Sequence, residues 1–281
     1  MIPARFDYDV AESVEHASEL LTAGGGEAKL LAGGQSLIPT LRLRIARPAK
    51  LVDLGRLHDL AYVRDGGTQI EIGALTTHAA VASDAFLAEH CPIVSYAAAQ
   101  IGDPQVRHRG TIGGTLSHGD PASDMPAVVL ALGGELVARG KGGERVIPAA
   151  EFFTGVFETA LGADEVLVEV RVPKLAASAG WAYLKANRRA QDWATVGVAA
   201  LVHRDNGNVA GASIGLVNMG GTPLRARAAE DALAGGASIS DAAALVTEGA
   251  EPPADHAGSS EYRAELAKVI ARRALEQALA D

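Results

Sequence analysis

The chain carries two double-glycine turns flanked by hydroxyl side chains, AGGQSLIPT at 32–40 and TIGGTLSH at 111–118. Glycine lets the backbone take positive φ and lets a ligand come close to the main chain. A strand that breaks into Gly-Gly and then enters a helix turns several N–H groups into one concavity, which suits a phosphate. Gln35, Ser36, Thr111 and Thr115 add hydrogen-bonding groups there without adding charge. Two such concavities would hold a diphosphate from both sides. The competing reading is that a chain with 32 glycines must contain pairs, and Gly24–Gly26, Gly66-Gly67, Gly133-Gly134 and Gly142-Gly143 read as ordinary turns. Neither GxGxxG nor GxxxxGK[ST] occurs, so Rossmann-type dinucleotide binding and P-loop chemistry lack a sequence basis.

Other chemistry is limited by composition. Cys91 is the only cysteine, which excludes an intramolecular disulfide and an iron–sulfur cluster held by this chain alone, since a cluster takes four thiolates. Beside Pro92 it reads as a small buried hydrophobe rather than a reactive thiol. The eight histidines show no HExxH or similar spacing, so no metal site is expected. A net charge of −9 without a long basic run argues against nucleic acid or an anionic membrane as partner. Apolar stretches such as MPAVVLALGG are too short to span a bilayer. No signal-peptide pattern precedes Phe6, and a cytoplasmic protein is expected.

The turns need elements to hold them. With 281 residues, 48% of them hydrophobic, the chain can build one large domain or two to three small ones. Ser13 can cap a helix with Val14, Ala17, Leu20 and Leu21 on its apolar face, ending at Gly24–Gly26. A strand over 28–32 leads into the first glycine pair, a helix over 37–46 follows with Pro39 in its first turn, and 51–54 forms another strand, a small βαβ-like unit. Further on, 69–72, 135–137 and 166–172 read as strands, 76–82 and 92–99 as helices, and Val128–Leu132 follows the second glycine turn. Small residues at 173–180 mark a boundary. Strands are expected at 181–186, 195–203 and 212–217, with a turn at Asp205–Asn208, then helices at 226–234, 240–248 and 261–280. Strands followed by helices make the last third α+β.

Three stretches carry a resemblance to a known family: AGGQSLIPTLRLRIARPAKLVDL at 32–54, IGDPQVRHRGTIGGTLSHGDPASDMPAV at 101–128 and LKANRRAQDWATVGVAA at 184–200. They resemble the FAD-binding medium subunit of the molybdenum hydroxylases, the family of aerobic carbon monoxide dehydrogenase medium subunits and of the xanthine dehydrogenase flavin domain. The likeness extends from Phe6-Asp7-Tyr8 to the terminal helix. It implies an α+β fold with an FAD-binding domain of the vanillyl-alcohol-oxidase (PCMH) type in two α+β subdomains, 1–55 and 56–175. A C-terminal domain over 176–281, with a three-stranded antiparallel sheet and helices, would follow.

The resemblance also implies where FAD sits. Both glycine loops would wrap its diphosphate, the first through Leu31, Ala32, Gly33, Gly34, Gln35, Ser36 and Leu37, the second through Thr111, Gly113, Gly114, Thr115 and Ser117. Asp124 falls where the family places a carboxylate on the ribityl chain; a helix-capping aspartate is the competing reading, and both can hold. Lys185, Asp192 and Trp193 occupy the motif whose family counterparts lie near the isoalloxazine ring, and Leu167 joins the cofactor-binding set. A lysine beside the pyrimidine end of the flavin would stabilise negative charge on the reduced ring. Trp193 reads equally well as a core aromatic of the C-terminal sheet. No catalytic residue and no metal ligand are assigned. Arg188 and Arg189 read as solvated or interface charges, and His118 has no assigned chemistry. Gln35 stands where the carbon monoxide enzymes favour histidine, a departure that argues against carbon monoxide as substrate and leaves FAD binding untouched.

The implied role is an electron-transfer subunit. A large molybdopterin subunit oxidises substrate, a small iron–sulfur subunit passes the electrons on, and the flavin subunit hands them to an external acceptor such as quinone, NAD or oxygen. Aldehydes, N-heterocycles and carbon monoxide all stay open as substrates of the whole enzyme. A free-standing FAD-dependent oxidoreductase of the same fold and a non-catalytic FAD- or nucleotide-binding module are the other readings.

Overall fold

Ser13 opens the first helix as its type requires, its hydroxyl accepting the His16 N–H at 3.1 Å, and Val14–Ala23 runs to the cap residue Gly24. Val14, Ala17 and Leu21 are buried and Leu20 packs half-buried beside them. This first unit belongs to a computed structural model that describes residues 2–205 and 208–280. Its sheet is wholly parallel, with Lys50–Asp53 between Asp7–Val10 and Ala28–Leu31. The helix after the first glycine pair stops at Arg42 instead of Ala46. Arg44 takes φ 58° and the Ile45 N–H turns back to the Thr40 carbonyl at 3.0 Å, closing the helix end.

The second sheet is antiparallel throughout, in the order Val63–Asp65, Gln69–Gly73, Val166–Pro173, Glu135–Gly140 and Gly143–Pro148. Val166–Pro173 is the middle strand, so most of its residues are buried rather than only every second one. Helices His78–Ser83, Ala85–His90, Pro92–Ala99, Ile112–His118 and Asp124–Ala131 belong to the same unit, and Ile70, Ile72, Leu87, Ile93, Leu116 and Phe152 fill the core. Cys91 lies in that core with no exposure, and burial pushes its thiol up to about 12. It is inert, as its setting beside Pro92 implies.

The last third has the three expected antiparallel strands, Ala179–Ala186, Val196–Asp205 and Asn208–Val217, and adds a two-residue fourth, Leu224–Arg225, at the edge. Of the expected turn at Asp205–Asn208, Asn206 and Gly207 lie outside the described residues. Helices Arg227–Ala234 and Ser260–Ala280 match their expected spans to within a residue, whereas the middle one covers only Ile239–Ala244, capped by Ser238. The all-buried helix Asp124–Ala131 is the hinge of the architecture, joining the second core to the C-terminal sheet. It can lie on that sheet because Gly215 has no side chain: a Cβ there would stand 2.2 Å from the Ala127 carbonyl oxygen. Among the described residues no helix is long and apolar enough to cross a membrane.

Candidate functional site

The two glycine loops meet back to back. The Gly33 α-carbon lies against the Arg109 carbonyl and Gly110, so close that a Cβ would stand 2.1 Å from the Arg109 oxygen. After the strand Ala28–Leu31, Gly34 adopts φ 72° and the chain turns into the Leu37–Arg42 helix. Among the described residues, none of the backbone N–H groups from Gly33 to Leu37 donates to another protein group. Consecutive unpaired N–H groups around a positive-φ residue form an anion-binding nest. Gln35 closes it from the side, its amide donating to the Gly33 carbonyl at 3.2 Å.

The second loop is built differently from the expectation. Thr111 caps the helix Ile112–His118, accepting the Gly114 N–H at 3.1 Å, so Gly113 and Gly114 sit in a first helical turn without positive φ. The Ile112 N–H goes to the Thr76 carbonyl, that of Gly113 to Ala74 and that of Thr115 to Thr111. The N–H groups of Ile112, Gly113, Gly114 and Thr115, expected to form a second nest, are therefore already used. Gly113 is glycine because its helix presses on the Ala74 backbone, where a Cβ would come within 2.6 Å of the carbonyl oxygen. The hydroxyl this loop presents to the cleft is that of Thr115.

Both loops border a cleft of about 250 Å³ whose walls include Gln35, Ser36, His78, Gly110, Thr115, Asp124, Lys185, Asp192 and Trp193. Asp192 and Trp193 also line a second hollow of about 460 Å³, bounded by Arg188, Arg189, Asn218, His256 and Arg263. Leu31 ends its strand and Leu37 begins its helix beside the nest, and Ala32 faces Gly114. Ser117 lies further along the second helix, and Leu167 is buried in the core; neither is part of the cleft wall. Trp193 is 56% exposed, which rules out its reading as a core aromatic.

The floor of the cleft is a buried charge pair. Lys185, on the Ala179–Ala186 strand, donates to Asp124 at 3.0 Å and to the Gln100 carbonyl at 3.3 Å, and the two side chains are 2% and 4% exposed. The Tyr183 hydroxyl donates to the other Asp124 oxygen. Burial raises the Asp124 carboxyl above the ordinary range, against the opposing pull of Lys185 and these hydrogen bonds. Burial and the Asp124 charge together raise Tyr183 well above its usual value. Asp124 is not a cap: Ser123 holds that position and Asp124 is the first helical residue, where its charge still gains from the helix dipole. Its two oxygens are committed to Tyr183 and Lys185.

The cleft wall also holds His78, Ile101, Gly102, Val106, Gly110, Ser123 and Gln191, none of which the sequence marks as a site residue. His78 follows the helix cap Thr77, and only the pairing of Thr77 with Thr111 brings it to the second loop. Its Nε2 is 2.7 Å from the Thr115 hydroxyl, its Nδ1 is buried without a partner, and burial lowers its pKa to about 4. A lone histidine in a short helix gives no sequence signal for this.

Residues 4–175 match the FAD binding domain in molybdopterin dehydrogenase, and residues 181–278 match the CO dehydrogenase flavoprotein C-terminal domain. The chain belongs to this flavoprotein family. It is 40% identical to the carbon monoxide dehydrogenase medium chain of Hydrogenophaga pseudoflava, covering 100% of this chain and 99% of the relative. It is 41% identical to the 6-hydroxypseudooxynicotine dehydrogenase complex subunit alpha of Paenarthrobacter nicotinovorans, over 99% of this chain and 96% of that one. The structure of carbon monoxide dehydrogenase from H. pseudoflava superposes with a TM-score of 0.96 at 42% identity, covering 100% and 99% of the two chains. This chain is thus an FAD-binding medium subunit of a molybdenum hydroxylase-type dehydrogenase. The site fits the cofactor: an unpaired N–H nest suits the diphosphate, and an exposed indole beside a buried ammonium suits a flavin ring.

Proposed function

We propose that the chain is the electron-relay subunit of a three-part enzyme, taking electrons from iron–sulfur clusters on a small subunit and giving them to an external acceptor. Substrate oxidation belongs to a large molybdopterin subunit. The observation that carries this is the state of the cleft's buried ionisable groups. Asp124 and Lys185 are spent on each other, and His78 is sealed and neutral, so none of the three is free to act as a substrate base. Cys91, the one thiol, is buried and protonated.

When bound, FAD supplies the capacity to accept electrons singly and release them singly or in pairs. The chain's own residues do the holding. The Gly33–Leu37 nest binds the diphosphate, Gln35, Ser36 and Thr115 orient it, and Asp124 faces the ribityl chain. Lys185 offers positive charge to the ring, and Trp193 with Asp192 flanks it. The units 1–55 and 56–175 supply the loops, and 176–281 supplies Lys185 and Trp193. Exposed His108, Arg109, Arg188 and Arg189 contribute to the surface that receives the iron–sulfur subunit. Relatives named for carbon monoxide and for 6-hydroxypseudooxynicotine share this subunit type, which supports substrate choice by the large subunit.

Sedimentation of the flavin-loaded chain mixed with its large and small subunits tests the assembly. A single species with one copy of each, or its dimer, is expected. A chain that sediments alone at every mixing ratio would remove the relay reading.

A further inference from the structure

We propose that His78 is a positioning residue for the cofactor: its Nε2 donates to the Thr115 hydroxyl and so commits that hydroxyl's own proton to an anionic oxygen in the cleft. The inference rests on the reading that the cleft holds FAD.

Helical threonines ordinarily turn their hydroxyl back to a carbonyl one turn earlier, as Thr22 does to Ser18 at 2.9 Å. Thr115 does not. Among the described residues its only side-chain partner is His78 Nε2, at 2.7 Å, and it forms part of the cleft wall. The imidazole is fixed from several directions. The His78 N–H donates to the Gly110 carbonyl at 2.9 Å, Thr77 pairs with Thr111, and the ring packs over Gly110, where a Cβ would come within 3.1 Å of it.

The direction of the hydrogen bond follows from the other nitrogen. A neutral imidazole has one donor and one acceptor. If Nδ1 carried the proton, a buried N–H would be left without an acceptor, because Nδ1 has no partner. If Nε2 carries it, only a lone pair is orphaned, which is the less costly arrangement. Burial keeps the ring neutral, so this choice persists at physiological pH. Thr115 therefore accepts from His78, and among the described residues its hydrogen has no acceptor. A hydroxyl that already accepts a hydrogen bond is also the better donor. The consequence is a donor of fixed direction on the loop whose backbone N–H groups from Ile112 to Thr115 are all used.

The test is titration of FAD-free chain with FAD, followed by flavin fluorescence, for wild type, H78F, H78Q, T115V and H78F/T115V. Losing a hydrogen bond to a charged group weakens binding about ten- to a hundredfold, so T115V and H78F should each lose that much. The double variant should bind no worse than T115V, and H78Q, whose amide N–H₂ reaches the Nε2 position, should stay within about twofold of wild type. Nitrogen-15 NMR of the FAD-free chain should find the His78 proton on Nε2. FAD binding undiminished in H78F, additive losses in the double variant, or a proton on Nδ1 would each overturn the proposal. If H78F does not fold, H78Q, T115V and the NMR measurement decide it. Wild-type chain that takes no FAD would instead remove the cofactor reading, and the tautomer would still be measured on the same sample.

Discussion

Replacing Gly33 by alanine puts a methyl group where backbone already stands. The new Cβ would lie 2.1 Å from the Arg109 carbonyl oxygen and 2.7 Å from the Gly110 α-carbon, whereas real Cβ contacts stay above 3.0 Å. The loops must therefore part by about 0.9 Å, the difference between 3.0 and 2.1 Å. The second loop does not yield readily: the Gly110 N–H is tied to Val106 at 2.7 Å and its carbonyl to His78 at 2.9 Å. The displacement falls on the nest. Overpacking of this kind costs about 1–3 kcal/mol in stability. One N–H to phosphate bond lost from the nest weakens FAD binding by about tenfold or more. Urea denaturation and FAD titration of Gly33→Ala measure the two effects separately. Gly142→Ala is the control, since a Cβ there meets nothing within 4 Å, and both quantities should be unchanged. Gly33→Ala with wild-type stability and FAD affinity would refute the packing of the two loops.

Acid precipitation of the purified chain should release FAD, and only FAD, into the supernatant, because no cysteine lies in the cleft wall to attach it; flavin left in the pellet, or FMN in its place, would contradict this. Lys185→Met should destabilise the chain by about 3–5 kcal/mol by stranding the Asp124 carboxylate, and adding Asp124→Asn should recover part of that in urea denaturation. The His78 pKa falls from 6.5 unfolded to about 4 folded, so the unfolded chain binds the extra proton between those values. Stability should therefore drop as pH falls through that window, by about 3 kcal/mol more than in H78Q, when unfolding is measured at pH 7 and pH 4.

The first loop was legible because everything that makes it is local: a short apolar strand, Gly33-Gly34, then a helix start. The second was not. TIGG looks like the same turn, but carbonyls of Thr76 and Ala74, about forty residues back in the chain, take its N–H groups and make it helix. The pairing that does this also delivers His78, so one long-range contact accounts for both misses. Asp124 admitted a capping reading beside the ribityl one because the sequence does not reveal that Tyr183 and Lys185 reach its carboxylate from the Ala179–Ala186 strand. The strand Asp7–Val10 has no buried residue and owes its conformation to Lys50–Asp53, so it has no apolar alternation to read. Val166–Pro173 and Ser260–Ala280, by contrast, carry their own patterns and lie where expected.

Anaerobic stopped-flow tests the relay role most directly. The flavin-loaded chain is mixed with the substrate of the large subunit, alone and after reconstitution with the large and small subunits, and flavin absorbance is followed. Bleaching in the reconstituted enzyme and none in the isolated chain is the expected result. Rapid substrate-driven bleaching of the isolated chain would contradict it and identify a free-standing oxidoreductase.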